Sequence, residues 1–190
     1  ISNSLVIESH IYPCSKMRLT KSIFLTFMIA SGCLSCKQSS TLFELIPSSR
    51  SGISFNNMVT ESDSINPLDM EYIYNGGGVA IGDFNKDGRQ DIYFTASQTE
   101  NRLYLNKGDF KFEDITAKAG VPRKNAWRTG ANMTDVNGDG RLDIYVCYSG
   151  KGSAASRKNE LYINKGNLQF VEMAAKYGID DMGCSTQGIF

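Results

Sequence analysis

Asp83-Phe-Asn-Lys-Asp-Gly-Arg-Gln-Asp-Ile-Tyr93 returns 52 residues later as Asp135-Val-Asn-Gly-Asp-Gly-Arg-Leu-Asp-Ile-Tyr145. A second pair follows: Leu103-Tyr-Leu-Asn-Lys-Gly-Asp-Phe-Lys-Phe112 returns as Leu161-Tyr-Ile-Asn-Lys-Gly-Asn-Leu-Gln-Phe170, now 58 residues on. The offset grows from 52 to 58, so six residues are inserted between the pairs, in Gly150-Lys-Gly-Ser-Ala-Ala-Ser-Arg-Lys158. That stretch is polar and glycine-bearing and reads as a lengthened surface loop. A period of 52–58 residues lies within or just above that of propeller blades.

Each repeat reads as four strands. In the first, Gly78–Ile81 enters the Asp-rich loop, Ile92–Ala96 leaves it, Arg102–Leu105 follows, and Phe110–Ile115 closes the unit. Asn106-Lys-Gly-Asp109 between the last two is a hairpin signal, with Gly free to take positive φ. Phe110, Lys111 and Phe112 alternate with the period of a half-buried strand. A tail, Thr116–Val121, recurs as Ala174–Ile179. A fainter echo lies upstream, where Phe43–Ile53 resembles Phe112–Val121 with one extra residue, as a last strand without its first three. We expect it to add an outer strand to a blade made elsewhere. Ser185–Phe190 resembles the approach to another Asp loop. Two units leave open sheet edges, so the sequence reads as the N-terminal piece of a longer protein.

Both loops follow Asp-x-Asn-x-Asp-Gly-x-x-Asp. Calcium is a hard cation that takes six to eight oxygens. Alternate positions of a tight loop aim their side chains inward, which nominates Asp83, Asn85 and Asp87 in the first loop and Asp135, Asn137 and Asp139 in the second. Gly88 and Gly140 supply a backbone turn costly for other residues. The carbonyls of Arg89 and Arg141 then face the ion while their side chains point to water, and Asp91 and Asp143 close the sites. A lone loop of this kind also reads as an Asx-rich turn with no metal; two copies at matching positions favour the metal. An EF-hand requires Glu at the twelfth loop position. Phe94 and Val146 stand there, between strands, so an EF-hand is rejected.

The rest of the composition narrows the function class. Twenty basic and 20 acidic side chains balance, without the basic excess that nucleic acid demands. His10 is the single histidine, and it precedes Met17, so neither a zinc site nor a Ser-His-Asp or Cys-His arrangement is expected. Cys147 lies in an apolar run and reads as a buried small hydrophobe. Gly76–Val79 lacks the spacing and the Lys-Ser/Thr of a phosphate loop and reads as a turn. Trp127, Tyr72 and Tyr74 are of the type that stacks on sugars, but equally of the type that packs between blades. Asn132-Met-Thr134 matches a glycosylation acceptor but falls on an expected strand and is discounted. From Met17, basic Arg18 and Lys21 precede an apolar run, Ser22–Ala30, too short to span a bilayer but suited to a secretory signal. The cysteines behind it resemble a bacterial lipobox, with Cys36, or else Cys33, as the lipidated residue.

The stretches Gly78–Asp91 and Gly130–Asp143 resemble the FG-GAP/VCBS repeat, the second keeping only part of the opening motif. With Tyr74-Asn-Gly-Gly-Gly-Val79 ahead of the first loop and a lipoprotein signal, the chain resembles envelope proteins of the cartilage-acidic-protein-like type, whose repeats precede an ASPIC/UnbV domain. The resemblance implies an all-β, partial β-propeller that binds Ca2+, with carbohydrate or protein ligands. The expected organisation is a pre-start segment (1–16), a lipoprotein signal peptide (17–36), a tether and N-terminal strand (37–69), repeat 1 (70–121), repeat 2 (122–179) and the start of repeat 3 (180–190). The expected function is non-catalytic: calcium-stabilised binding of a glycan or protein on an exported, surface-exposed lipoprotein held to the membrane by lipid only. The alternative is a propeller scaffold for an envelope enzyme whose catalytic part lies in a C-terminal region beyond this sequence.

Overall fold

A computed structural model describes residues 42–122 and 126–190. The signal segment 17–36, its cysteines Cys33 and Cys36, and His10 lie outside the described residues. Residues 45–190 form one compact unit, built of two four-stranded sheets in sequential order. The first comprises β1 (Val79–Gly82), β2 (Asp91–Phe94), β3 (Arg102–Asn106) and β4 (Phe112–Asp114); the second comprises β5 (Trp127–Thr134), β6 (Asp143–Ser149), β7 (Glu160–Asn164) and β8 (Phe170–Glu172). Every neighbouring pair is antiparallel, and the registers repeat: Gly82 faces Asp91 as Thr134 faces Asp143, and Tyr104 faces Asp114 as Tyr162 faces Glu172. The expected meander of two four-stranded blades is thus borne out. β5 is longer than β1 and carries a register shift between Arg128 and Ala131.

The fourth strand starts later than its alternating pattern implies. Phe110 is not in it: Asp109 and Phe110 take φ of 51° and 56°, as Asn167 and Leu168 do at 51° and 58° in the second sheet. Lys107 donates to the Lys111 carbonyl and Lys111 to that of Gly108, so the turn spans these residues and the strand begins at Phe112. The apparent alternation of Phe110 with Phe112 is a coincidence of turn composition. The upstream echo has no further blade to join among the described residues. Residues 43–47 carry no strand, and Leu45 is 92 % exposed. An outer strand needs a ladder partner, and the two sheets already have their own fourth strands. The echo does form its second half, a single helical turn α1 (Ser48–Ser51) capped by left-handed Gly52, matching α2 (Thr116–Ala119) with Gly120 and α3 (Ala174–Tyr177) with Gly178.

The two sheets stack face to face around a shared core. Phe84, Tyr93, Leu103, Leu105 and Ile115 of the first meet Ile144, Val146, Tyr148, Tyr162 and Phe170 of the second. β6 and β7 are therefore buried on both faces. Their outer face carries a second cluster, Tyr145, Cys147, Leu161, Ile163 and Ala174. The segment after Gly183 lies across it: Ser185 donates to the Tyr148 carbonyl at 2.9 Å, and Phe190 packs edge-on against Tyr145. At the other end, Phe55 stacks on Phe94 at 4.8 Å between ring centres, and the Ser54 amide donates to the Tyr104 hydroxyl.

Close approach of the inner strands depends on glycine. A Cβ on Gly78 would sit 2.7 Å from the Ala131 amide nitrogen and the Thr129 carbonyl, and one on Gly130 would sit 2.5 Å from the Thr186 carbonyl. Gly78 and Gly130 are equivalent at the 52-residue offset, so residues 185–190 lie beside β5 much as β5 lies beside β1.

Candidate metal centre

Each Asp loop joins the two inner strands of its sheet, running from Asp83 to Gln90 between β1 and β2, and from Asp135 to Leu142 between β5 and β6. The first aspartate of each ties the loop to its own backbone. Asp83 Oδ1 accepts from the Asp87 amide at 3.1 Å and Oδ2 from Gly88 at 2.7 Å; Asp135 repeats both bonds with Asp139 and Gly140 at 3.1 and 2.7 Å. The Asn85 and Asn137 side-chain oxygens accept from the same Asp87 and Asp139 amides. Gly88 and Gly140 take φ of 82° and 78°, a conformation a side chain would strain. The amides of Arg89 and Arg141 donate to Asp87 Oδ1 and Asp139 Oδ1, each at 2.9 Å.

The last aspartate is the base of the loop. Asp91 is fully buried; its Oδ2 accepts from the Phe84 amide and its Oδ1 from Asn106 on β3, at 3.0 and 2.8 Å. Asp143 repeats this with Val136 and Asn164, at 3.1 and 2.8 Å. Burial raises the pKa of both carboxyls, and the charges of Asp87 and Asp83, or Asp139 and Asp135, add to the rise. Asp87 moves the other way, lowered by the hydrogen bond from Asn85 and then that from the Arg89 amide. Asp139 is lowered first by the Arg141 amide. Four carboxylates and two amide oxygens thus gather at equivalent places in the two loops, with Asp91 and Asp143 added below them.

The arginines do not run out into water as expected. Arg89 folds back, its Nε donating to the Asn106 carbonyl at 3.0 Å and its NH2 group pairing with Asp87 Oδ2 at 2.6 Å. Arg141 does the same with the Asn164 carbonyl and Asp139, at 3.1 and 2.7 Å. The reason is reach: the last residue of β3 or β7 presents its carbonyl beside a carboxylate, and the planar guanidinium spans both. Among the described residues, no three His, Cys, Asp or Glu side chains converge closely enough to hold a metal ion. The donor chemistry still fits a hard divalent cation, since every candidate ligand is an oxygen and the guanidinium stands as a cation against each central carboxylate.

Sequence reasoning passed over Asn106 and Asn164, which hold each loop to its third strand. The Asn164 amide nitrogen donates to the Phe84 and Leu142 carbonyls, bridging the first loop to the second sheet. Their signal was present, as Leu-Tyr-Leu-Asn106-Lys-Gly and Leu-Tyr-Ile-Asn164-Lys-Gly, and was absorbed into a turn motif. Of the three candidate stacking aromatics, Tyr72 and Trp127 line one cavity of about 920 Å³ at the opposite end of the inner strands from the Asp loops, together with Gly76–Gly78, Asp69 and Lys151. Tyr74 is not in its wall; its hydroxyl bonds to Glu61.

Residues 83–146 match the family description FG-GAP-like repeat. Both Asp loops lie within that match. The chain is also 36% identical over 72 residues to cartilage acidic protein 1 from Xenopus tropicalis and, equally, to that from Homo sapiens. It is 33% identical over 69 residues to the Mus musculus protein. The matches cover 37% of this chain, or 36% for the mouse protein, and in each case 11% of the relative. The resemblance read in the Asp loops is therefore borne out, and the stacked four-stranded sheets are blades of propeller type. Neither the repeat description nor the relatives' names denote an enzyme.

Proposed function

We propose that these FG-GAP blades are a calcium-stabilised, non-catalytic binding scaffold. One observation carries the reading: two loops with different filler residues share most of one hydrogen-bond network, around the same five oxygen-bearing positions. An Asx-rich turn serving only its own backbone needs one carboxylate. Three carboxylates per loop repel each other at neutral pH, and a divalent ion offsets that repulsion. Asp83, Asn85, Asp87, the Arg89 carbonyl and Asp91 would hold the first ion; Asp135, Asn137, Asp139, the Arg141 carbonyl and Asp143 would hold the second. When bound, Ca2+ supplies charge neutralisation and a cross-link between the two inner strands.

The ligand, a glycan or a protein segment, fits the cavity walled by Tyr72 and Trp127. There an aromatic face lies beside an Asp69–Lys151 ion pair of 2.8 Å, a mixture suited to a partly polar guest. The exported, lipid-anchored location belongs to the same reading, through Cys36 or Cys33. The test is thermal. A ligand that binds only the folded state stabilises it by mass action, so chelation should lower the melting temperature and added calcium should restore it. Identical melts with and without calcium would sink the proposal. D87A and D139A should each abolish one site and leave the other.

A further inference from the structure

We infer that Arg89 and Arg141 are built-in competitors of the bound cation, holding each Asp loop closed when metal is absent and weakening calcium affinity when it is present. The inference rests on the calcium reading above and adds to it residues that supply no side-chain ligand.

The geometry is the same in both repeats. Each guanidinium has two anchors: Nε on the carbonyl of Asn106 or Asn164, and an NH2 group on the outer oxygen of Asp87 or Asp139. The carbonyl anchor is the last residue of β3 or β7, outside the Asp loop. The positive charge is therefore held beside the loop whether or not its carboxylate partner is engaged elsewhere. In the first loop Asp87 Oδ2 also accepts from the Asn85 side chain at 2.9 Å, so that oxygen already accepts two hydrogen bonds. For that oxygen to ligate an ion, the guanidinium must release it.

Two costs follow. The arriving cation displaces a charge-assisted hydrogen bond, and it then sits near a fixed positive charge. An exposed ion pair contributes little to folding stability, and these pairs are partly exposed. Against a divalent ion the same charge counts twice over, because it stabilises the metal-free loop and repels the metal. Removing one positive charge at this range should tighten binding by roughly three- to tenfold, the screened limit of the Coulomb energy.

The test is calorimetric titration of calcium into the full chain after chelator treatment, for the wild type, R89Q, R141Q and R89Q/R141Q, with R89K/R141K as the charge-retaining control. R89Q should tighten one of two sites by roughly three- to tenfold, the double variant both, and the gap should narrow at high salt. R89K/R141K should stay close to the wild type. A melting series adds a signature that simple loss of packing does not give: R89Q/R141Q should melt below the wild type with chelator and level with it, or above it, in saturating calcium. Equal or weaker calcium binding by folded R89Q and R141Q, with the wild type still binding, would overturn the competitor role and leave the calcium reading intact. Absence of any binding in every variant would overturn the calcium reading, and this inference with it.

Discussion

Asn106 and Asn164 occupy the same repeat position, yet only one joins the sheets. Asn164 is fully buried and serves five partners: its backbone amide meets Asp143, its carbonyl Arg141, its side-chain nitrogen Phe84 and Leu142, and its side-chain oxygen accepts from Gly166. Asn106 makes the corresponding bonds within its own sheet, to Asp91, Gln90 and Gly108, without a cross-sheet bond. Truncating Asn164 strands the buried Phe84 carbonyl, along with the part-buried Leu142 carbonyl and Gly166 amide. Asn164→Ala should therefore cost about 2–4 kcal/mol and Asn106→Ala about 1 kcal/mol, read as urea midpoints at unchanged slope. Equal costs would show that the cross-sheet bond adds nothing. The two described cysteines offer a second comparison. Burial raises the Cys147 thiol pKa, and its side chain is 1 % exposed, whereas Cys184 is exposed. A thiol reacts as its thiolate, so maleimide at pH 7.5 should label Cys184 within minutes and Cys147 only after denaturant is added, as peptide mapping would reveal.

At the scale of elements, the inner strands set how closely the blades stack. A methyl on Gly78 or Gly130 would meet backbone rather than a flexible side-chain tip, so the strand itself must move. Neither glycine has positive φ, which makes the penalty one of packing and not of conformation. G78A and G130A should each cost about 1–3 kcal/mol in denaturant titrations while retaining far-UV β signal. What the sequence revealed at this scale follows from repetition. Gly82–Asp91 and Thr134–Asp143 come out in register because two copies of one motif share their loop length. Single-copy or short-range features were harder. Phe110 mimics strand alternation in the sequence, but it takes the left-handed φ of a turn, which alternation does not signal. The bulge at Arg128–Ala131 has no counterpart in β1, and periodicity does not detect it. The Arg89 side chain was misplaced because its anchor, the Asn106 carbonyl, lies 17 residues away and comes within reach only when the meander closes. The Asp loops were legible as oxygen donors; their hydrogen-bond directions were not, since those depend on the third strand.

For the molecule from residue 45 onward, the decisive feature is that the larger core belongs to neither sheet alone. Phe84, though it sits in the first Asp loop, is 2 % exposed and packs edge-on against Phe170 of the second sheet at 5.5 Å. Its counterpart Val136 faces the smaller second cluster and is only partly buried. A single four-stranded sheet with one wet face has too little buried apolar area to stand by itself. Splitting the pair would expose Ile144, Val146 and Tyr148 together with Tyr93 and Leu103. The blades should consequently unfold as a unit, giving one calorimetric transition whose van't Hoff and calorimetric enthalpies agree. Phe84→Ala should move that whole transition down, by about 3–5 kcal/mol in stability, and Val136→Ala by clearly less. Because Phe84 donates its amide to Asp91 and lends its carbonyl to Asn164, the same variant tests whether loop and core are coupled. If they are, Phe84→Ala should also weaken calcium binding at the first loop and leave the second unchanged. Two resolved transitions, with Phe84→Ala shifting only one, would instead make the blades independent units and remove the shared core as the basis of stability.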